Sequence, residues 1–463
     1  MHKETLNVLE TTGVKVEDDR ALKLFAEHGC KVDREEKRAR FPGWLVEESL
    51  RNVPSSFHVR ARDPDKDLMV GGNTLYFLQG DALRVIDPDT WVIRKATMKD
   101  HSDAIKVADA LDSVHCVIPA SLYNDLEGVH GVMAVLECLA NGIRNSTKAQ
   151  YVTMGYLNES ERFTIDLAKA VGIDLIGCST PSPPLTLNAG SCEVAFRCTE
   201  ADFPTLICCG GVMGASNPAT FAGAVIATNA ASMADIVLVQ LAKPGAAVLV
   251  MDFIHPMNMK TGNLDFGSFG VQVSSAMFTQ IWRSYGIPTA GGAGAPYTNS
   301  KKIDFQTGYE RAMNILASVL SGNHFQLFPG GGFAEYATHP VRTVLDDDIC
   351  NRVGRFIEGV EVNDETLAVD LINEVGPIPG YYLNKEHTRK WWKNERFIPK
   401  AADREGYPEW IKGGKKDALA LAKERLEEIL ATHKPKPLTP EQDKAIEEVL
   451  EEARSFYRKK GLM

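Results

Sequence analysis

Apolar and polar positions divide the chain into three parts. In the middle part, from about residue 75 to residue 360, short apolar runs alternate with longer amphipathic segments of helical period. The parts before and after it are more polar and lack this alternation. The middle part therefore predicts β-strands that each lead into a helix, which is typical of a parallel sheet covered by helices.

The alternation predicts eight strands, each followed by a helix. The strands are expected at 75–78, 114–119, 150–154, 184–187, 205–209, 247–251, 288–290 and 325–328. The helices are expected near 98–111, 130–145, 159–171, 190–200, 218–242, 270–285, 304–321 and 341–358. The run at 184–187, P-L-T-L after P-S-P, is irregular and is included because a closed barrel needs it. Since no G-x-G-x-x-G opens a helix after a strand, a TIM (β/α)8 barrel is favoured over a doubly wound sheet.

The two ends predict helical additions to the barrel. We expect residues 1–70 to form an N-terminal helical arm or cap, residues 71–360 the barrel, and residues 361–463 a C-terminal helical extension. The stretch 440–460 carries one thin apolar stripe, Leu450, Ala453 and Phe456. A docking surface or a dimer arm would have this pattern, but a solvated end helix is favoured.

Composition and charge narrow the class of protein. The 463 residues include 51 basic and 61 acidic residues, and the net charge of −10 argues against nucleic acid or a membrane surface as partner. No signal core or membrane-spanning apolar run is evident. The nine cysteines are scattered without a C-x-x-C pair, which favours free thiols in a reducing cytoplasm.

One stretch, from Ile287 to Gly308, combines a short strand, a glycine-rich loop and a helix. The loop offers a lone aromatic ring, Tyr297, and the helix starts near Asp304. This pattern is typical of a βα unit whose loop contributes to a site, although a packing tyrosine is the structural alternative. Tyr309, Met313, Leu316 and Leu320 lie on one side of the helix and predict an apolar face.

In a barrel, the side chains just after each strand face one mouth, where such folds place their sites. Aromatic rings are plentiful there, and the sequence has no H-x-H, H-E-x-x-H or C-x-x-C metal motif, no P-loop and no nucleophile elbow. We therefore expect no protein-bound metal. The positions after the strands are Gln79, Asp81, Ser121, Tyr123, Tyr156, Asn188, Gly210, Gly211, Asp252, Phe253, His255, Tyr297, Phe333, Tyr336 and His339.

These rings suit a cation that cannot donate hydrogen bonds. A quaternary ammonium is held by aromatic faces, each contributing about 0.5–2 kcal/mol, and the rings available are Phe253, Tyr297, Phe333 and Tyr336.

Charged and polar residues at the same mouth have two interpretations. His255 and His339 could orient or neutralise a substrate carboxylate, although a lone histidine is more often a structural donor. Asp81 and Asp252 could position the cation, but capping of the next helix is favoured.

Several separated segments carry a family resemblance. They are S-T-P-S-P-P-L-T-L-N from Ser179, G-G-V-M-G-A-S-N-P-A-T-F-A-G from Gly210, S-K-K-I-D-F-Q-T-G-Y-E-R-A from Ser300 and V-L-D-D-D-I from Val344. Through them the chain resembles the trimethylamine/glycine-betaine:corrinoid methyltransferase family over most of its length.

The resemblance implies a TIM barrel that moves a methyl group from a methylated amine to Co(I) of a separate corrinoid protein, which docks over the barrel mouth. The trimethylamine enzymes carry pyrrolysine in the loop after the seventh strand, where this chain has Tyr297. Where those enzymes have a glutamate after the eighth strand, this chain has Phe333. The resemblance therefore implies the non-pyrrolysine branch and a quaternary amine substrate, first glycine betaine, giving dimethylglycine.

The chemistry of that branch requires no acid or base catalyst. A quaternary ammonium is already activated, so the protein need only aim one N-methyl group at cobalt and exclude water. The corrinoid is supplied in trans by the partner, and a homo-oligomer is expected. The predicted substrate-binding residues are Tyr297, Phe333, Phe253, His255, Tyr336, His339, Asn188, Gln79 and Asp81.

Other readings stay open at this point. A degenerate barrel could bind a betaine without turnover, and a barrel enzyme could hold a phosphorylated substrate on the glycine loops 291–294 and 330–332. Glycine betaine, proline betaine, carnitine and butyrobetaine all carry the required cation. The carboxylate-binding residue is open among His255, His339 and Arg342.

Overall fold

The central part of the chain is a closed barrel of eight parallel strands. The computed structural model describes residues 1–120, 122–123, 125–153, 159–292, 296–332 and 335–463. Each strand pairs with the next one in the chain, and the last strand pairs with the first. The strands are β1 (Tyr76–Leu78), β2 (Cys116–Val117), β3 (Ala149–Val152), β4 (Leu175–Ser179), β5 (Thr205–Met213), β6 (Val248–Pro256), β7 (Thr289–Gly291) and β8 (Phe325–Leu327).

A helix follows every strand and covers the outside of the barrel, so the predicted TIM (β/α)8 fold is confirmed. The helices are α1 (Met98–Ala110), α2 (Ala134–Asn145), α3 (Ser160–Val171), α4 (Ala189–Ala201), α5 (Phe221–Ala242), α6 (Phe269–Ser284), α7 (Phe305–Leu320) and α8 (Pro340–Ile357).

The predicted fourth strand, 184–187, is wrong. The fourth barrel strand is β4, which begins three residues after Gly172 ends α3 in the left-handed conformation. Thr186–Leu187 instead pairs with Val14–Val16 of the N-terminal region. The proline-rich run belongs to the loop between β4 and α4, because proline cannot donate to a central sheet ladder.

Strand residues alternate between the inside of the barrel and the helix layer. On β6, Leu249 and Met251 belong to the interior cluster, whereas Val248 and Val250 pack with helix residues. This alternation of inward and outward side chains continues to the end of β6. It therefore determines which side chains of β6 reach the mouth.

Helix α5 is long and apolar enough to cross a bilayer, and 78% of its most apolar window is buried inside the fold. Its residues Ile236, Val237 and Leu238 pack in the cluster that joins the barrel wall to the N-terminal region. Packing inside the protein therefore accounts for its composition.

The N-terminal region contains helices and strands, whereas the sequence analysis predicted helices alone. The helices are His2–Thr11, Asp19–Glu27 and Gly43–Asn52, with a short 3-10 turn at Pro64–Lys66. The strands Val14–Val16, Lys31–Asp33 and Arg38–Arg40 form a sheet with Thr186–Leu187, and Ser56–Val59 pairs with Leu68–Gly71. This region packs on α5.

After β1 the chain forms a hairpin. Arg84–Ile86 pairs with Ile93–Arg94, and Asp87 accepts hydrogen bonds from the backbone N–H groups of Asp89 and Thr90 in the D-P-D-T turn. Ala337–Thr338 adds to the hairpin in parallel, so the segments after β1 and β8 are joined.

The C-terminal extension ends in a helix that packs on the barrel. Of its apolar stripe, Leu450 and Ala453 are fully buried and Phe456 is partly buried, in a cluster with residues of α2 and α3. The prediction of a solvated end helix is therefore wrong, because Ile446 and Tyr457 extend the stripe over the whole helix. The helices after the barrel are Asp364–Leu367, Val369–Val375, Glu386–Trp391, Tyr407–Lys412, Ala418–Thr432 and Pro440–Lys459.

Candidate functional site

The mouth of the barrel places Tyr297 against Asp81. Tyr297 follows β7 and is 2% exposed, and its hydroxyl donates a hydrogen bond of 2.7 Å to Asp81 Oδ1, which follows β1. Burial raises the pKa of the Asp81 carboxyl, although the Tyr297 hydrogen bond opposes this. Burial also raises the pKa of Tyr297, so the phenol stays protonated and is the donor of the pair.

A second carboxyl group, that of Glu335, lies beside this pair. Burial is the main reason that its pKa rises to about 8, and the neighbouring Asp81 charge adds to the rise. Tyr297 hydrogen-bonds to Glu335 and lowers that pKa in part. Near neutral pH the Glu335 carboxyl is therefore largely protonated, and a bound cation would favour the ionised forms of both carboxyls.

Four rings form a contiguous cluster next to the carboxyls. Phe253 and His255 lie on the inward face of β6, with ring centroids 4.6 Å apart, and Phe266 packs 4.7 Å from His255. Tyr297 completes the cluster, 5.2 Å from Phe266 and 6.4 Å from Phe253. The contacts are edge-to-face, so the rings present both edges and faces within one small region.

His255 leaves one buried ring nitrogen without a partner. Its Nδ1 lies 3.3 Å from the carbonyl oxygen of Phe253, and its Nε2 has no hydrogen-bond partner in the described chain. Burial lowers the pKa of His255 to about 4, so the ring is neutral near pH 7. A ligand that donated to Nε2, or that brought a negative charge to the ring, would satisfy this atom.

A buried ion pair holds the two loops that carry Tyr297 and Glu335. Arg311 of α7 pairs with Asp346 of α8, and both side chains are almost fully buried. The Arg311 guanidinium also donates to the carbonyl oxygens of Pro296 after β7 and Phe328 after β8. One cation therefore fixes backbone on both sides of the mouth.

Neighbouring contacts fix the same loops further. Glu310 accepts hydrogen bonds from the Thr298 hydroxyl and the Asn299 N–H, directly after Tyr297. Asp346 accepts a 2.8 Å hydrogen bond from the Gly330 N–H. Loops held this closely suit a preorganised site.

Four of the predicted substrate-binding residues lie away from this cluster. Gln79 points to the helix layer, where it contacts the Ala104 carbonyl and the Ile118 N–H. Asn188 caps α4 and His339 caps α8, each through a hydrogen bond to a backbone N–H group. Tyr336 follows β8 but its side chain is 46% exposed.

The side chains of other predicted strand-end residues are hydrogen-bonded to the surrounding fold. Tyr123 is buried and donates to the Thr338 carbonyl oxygen. Asp252 faces the helix layer, accepts from Ser275 of α6, and has a pKa raised to about 7 by burial. Neither Asp81 nor Asp252 caps the next helix, because Thr97 and Ser268 do so, and that expectation is wrong. Phe333, Ser121 and Tyr156 lie outside the described residues.

Comparison with known proteins assigns the family. The profile of the trimethylamine methyltransferase (MTTB) family matches residues 1–455. The chain belongs to the MTTB family. It is therefore a methyltransferase.

Individual relatives cover nearly all of this MTTB-family chain. A glycine betaine methyltransferase from Desulfitobacterium hafniense is 29% identical over 96% of this chain and 93% of the relative. The trimethylamine methyltransferase MttB of another strain of that species is 29% identical over 99% and 92%, and MttB of Methanosarcina barkeri is 27% identical. The crystal structure of the M. barkeri monomethylamine methyltransferase MtmB covers 98% of this chain with a TM-score of 0.50 at 11% identity, which supports the fold.

Sequence reasoning missed Glu335, Phe266, Arg311 and Asp346. Arg311 and Asp346 lie within the segments Y-E-R-A and D-D-D that carried the family resemblance, and that resemblance was the available signal. Phe266 lies ten residues beyond β6 in a loop, so no strand-end rule points to it. Glu335 lies two residues after Phe333 in the chain, and only its burial beside Asp81 and Tyr297 points to a place in the site.

Proposed function

We propose that this enzyme transfers a methyl group from a quaternary amine to Co(I) of a corrinoid protein. The observation that carries the proposal is the joint presence of four rings and two carboxyls at one mouth, Asp81 and Glu335 beside Tyr297. Aromatic faces attract a cation, and ionised carboxylates offset its charge in a low-dielectric site. A permanently charged nitrogen with methyl groups fits both features.

Glycine betaine is the first candidate substrate. A relative of similar length is named as a glycine betaine methyltransferase. The substrate carboxylate would lie near His255, because the other two candidates are placed elsewhere: His339 caps α8, and Arg342 lies in a cavity between α7 and α8. The negative charge of the bound carboxylate would favour protonation of His255 from solvent, and the Nε2–H of the ring would then donate a hydrogen bond to that anion.

The transfer step needs no proton from the protein. The Co(I) electron pair forms the new Co–C bond, and the electrons of the broken C–N bond stay on nitrogen, so dimethylglycine leaves neutral at nitrogen. The residues of the mouth bind the cation, aim one methyl group outward and exclude water. The carboxyls offset the charge of the bound cation, and the rings form the surface against which it packs.

Exposed apolar side chains around the mouth support docking of the corrinoid protein there. They lie after β1, β6, β7 and β8, and the corrin must approach within bonding distance of the methyl carbon. A group of exposed apolar side chains on a soluble protein marks an interaction site. The rim residues are Leu83, Val92, Met259, Phe269, Phe305 and Tyr336.

A protonated tertiary amine is the second candidate substrate. Asp81 and Glu335 could accept a hydrogen bond from its N–H group, which a quaternary amine lacks. The carboxyl pair is the observation that favours it, and the methyl transfer would again release a neutral amine.

A substrate screen separates the two candidates. The enzyme is mixed with the corrinoid protein reduced to Co(I), and formation of methyl-Co(III) is followed by absorbance with glycine betaine, proline betaine, carnitine, butyrobetaine or trimethylamine. We expect turnover with a betaine. Turnover with trimethylamine alone, or with none of them, would overturn the proposal.

A further inference from the structure

A cavity lies outside the barrel, between its last two helices. It has a volume of about 510 Å³ and is walled by α7, α8 and residues 397–404 of the segment after the barrel. Cavities of roughly 300–1,000 Å³ hold small organic ligands. The mouth residues Asp81, Phe253, His255 and Tyr297 do not line it, so it is separate from the candidate active site.

Small residues on α7 leave this space open. Gly308 and Ala312 lie one helical turn apart and both line the cavity, and a Cβ at Gly308 would meet no atom within 4 Å. The α8 wall presents Leu345, Ile349 and Val353, which are four residues apart and so share one face of that helix. A row of small residues and a row of aliphatic ones therefore enclose a slot lined by hydrocarbon.

The third wall is held in place by a carboxylate of α8. Asp348 accepts hydrogen bonds of 2.7–3.1 Å from the three backbone N–H groups of residues 400–402. Phe397 and Pro399 of the same segment line the cavity. The apolar side chains of this wall are therefore fixed against α8.

Arg342 brings a buried charge to the cavity. Its side chain is 6% exposed, and its Nη1 atom has no hydrogen-bond partner in the part of the chain that the structure describes. Burial and the neighbouring charge of Arg311 lower its pKa to about 10, so the guanidinium remains charged at neutral pH. Because a buried charge without a partner is costly, this group favours the entry of an anion.

The carboxyls nearest to Arg342 are engaged elsewhere. Asp346 pairs with Arg311 and accepts a hydrogen bond from the Gly330 N–H. Asp304 is the N-cap of α7 and accepts a 3.0 Å hydrogen bond from the Thr307 N–H. Both raise the pKa of Arg342 in part, but burial outweighs them. Neither forms an ion pair with Arg342 within 4.0 Å.

Two further arginines lie at the exposed edge of the cavity. Arg352 of α8 and Arg404 line it, and neither forms an ion pair with any residue that the structure describes. Positive charge at an opening attracts anions. A guanidinium also binds a carboxylate through two parallel hydrogen bonds.

We propose that this cavity binds a free organic acid, with its carboxylate on Arg342 and its hydrocarbon body in the slot between α7 and α8. A medium-chain fatty acid has this chemistry. A neutral or cationic molecule of the same shape would leave Arg342 unpaired, and a small anion such as acetate would leave the slot unfilled. Both parts of the ligand are therefore required.

The cavity shares one residue with the framework of the mouth. Arg311 lines the cavity and also donates hydrogen bonds to the carbonyl oxygens of Pro296 and Phe328. A bound acid would therefore lie directly behind the side chain that holds the loops after β7 and β8. The inference does not depend on the proposed substrate, because its test measures binding of the acid itself.

Calorimetric titration of the full chain with octanoate tests the site. We expect saturable binding of one octanoate per chain. Octylammonium and 1-octanol, which have the same hydrocarbon body, should bind at least tenfold more weakly, and so should acetate, which has the same head group. Equal binding of octanoate and 1-octanol, or no binding of octanoate, would overturn the proposal.

Two variants remove the two halves of the site. Arg342→Met removes the charge but keeps an apolar side chain, and it should lower the affinity for octanoate at least tenfold. Ala312→Phe fills the slot and leaves Arg342 in place, and it should cause a similar loss. Thermal melting followed by circular dichroism shows that both variants fold.

A control arginine lies on the last helix. Arg458 is exposed and remote in sequence from the cavity walls, so Arg458→Met should bind octanoate like the wild type. Undiminished octanoate binding in both Arg342→Met and Ala312→Phe would place the acid elsewhere and overturn the site.

Discussion

The Tyr297 hydroxyl and the Asp81 carboxyl, 216 residues apart in the chain, are joined by a hydrogen bond of 2.7 Å at the barrel mouth. The bond connects the loop after β7 with the loop after β1. It fixes the Tyr297 ring beside Phe253 and Phe266 and leaves the carboxyl close to any cation that the rings bind. The Tyr297 ring and the Asp81 carboxyl therefore contact the same position of a bound ligand.

Two substitutions of Tyr297 distinguish the contribution of its ring from that of its hydroxyl. Tyr297→Ala should lower kcat/KM for the amine at least tenfold, a loss of about 1.4 kcal/mol or more, because one aromatic face is removed. Tyr297→Phe keeps the face and should retain more activity. Initial rates of methyl-Co(III) formation measure both, with circular dichroism melting as the check on folding.

Phe333→Ala is expected to cause a similar tenfold loss, since the family resemblance places that ring at the site. Near-normal rates in both Tyr297→Ala and Phe333→Ala would remove the aromatic cation site from the mechanism.

The pH dependence of substrate binding should follow Glu335. Its pKa is raised to about 8, so the carboxyl is neutral below that pH and ionised above it. Cation binding should therefore strengthen as the pH rises from about 7 to 9, seen as a falling KM. Glu335→Gln should flatten the profile, and an unchanged profile in that variant would assign the titration to another group.

Loss of the buried arginine should destabilise the fold strongly. Arg311→Met leaves Asp346 buried without its partner, which costs about 3–5 kcal/mol. Urea unfolding followed by circular dichroism measures the loss. Lys444→Met, which breaks a highly exposed pair with Glu448 on the last helix, should cost below about 0.5 kcal/mol and serves as the control.

A buried carboxyl in the barrel wall predicts a further pH effect on stability. Asp235 of α5 is fully buried, and burial raises its pKa to about 7 although the Ser179 hydroxyl donates to it. Because the folded pKa lies above the unfolded value, this group contributes stability at low pH that is lost as the pH rises to about 7. The unfolded chain releases the proton first, at a cost to stability of roughly 1.4 kcal/mol per pH unit in that window.

Asp235→Asn removes this titration. The unfolding free energy of the variant relative to wild type should therefore increase between about pH 4.5 and pH 7. Thermal melts across that range measure the difference, and parallel curves for the two proteins would contradict the assignment.

Much of the fold was open to prediction from the chain alone. Seven of the eight strands and all eight barrel helices follow from local apolar periodicity, since each strand and helix repeats its pattern within a few residues. Strand β4 was not predicted. The irregular run at 184–187 was assigned as the fourth strand in its place. The strand-end rule also predicts Tyr297, Asp81, Phe253 and His255 at the mouth, because each follows or ends a barrel strand.

Tertiary structure decided the rest. Inward and outward residues on a strand differ by one position, so closure of the barrel alone directs Phe253 and His255 to the mouth and Asp252 to the helix layer. The contact of Tyr297 with Asp81 joins residues that are distant in the chain. A local sequence pattern cannot predict such a contact. The spacing of apolar residues shows that α7 has an apolar face. It does not show whether that face points toward the barrel or toward solvent. In the fold, the inward face of α7 carries Arg311, and Asp346 of α8 supplies its partner, because a buried charge without a partner would cost several kcal/mol.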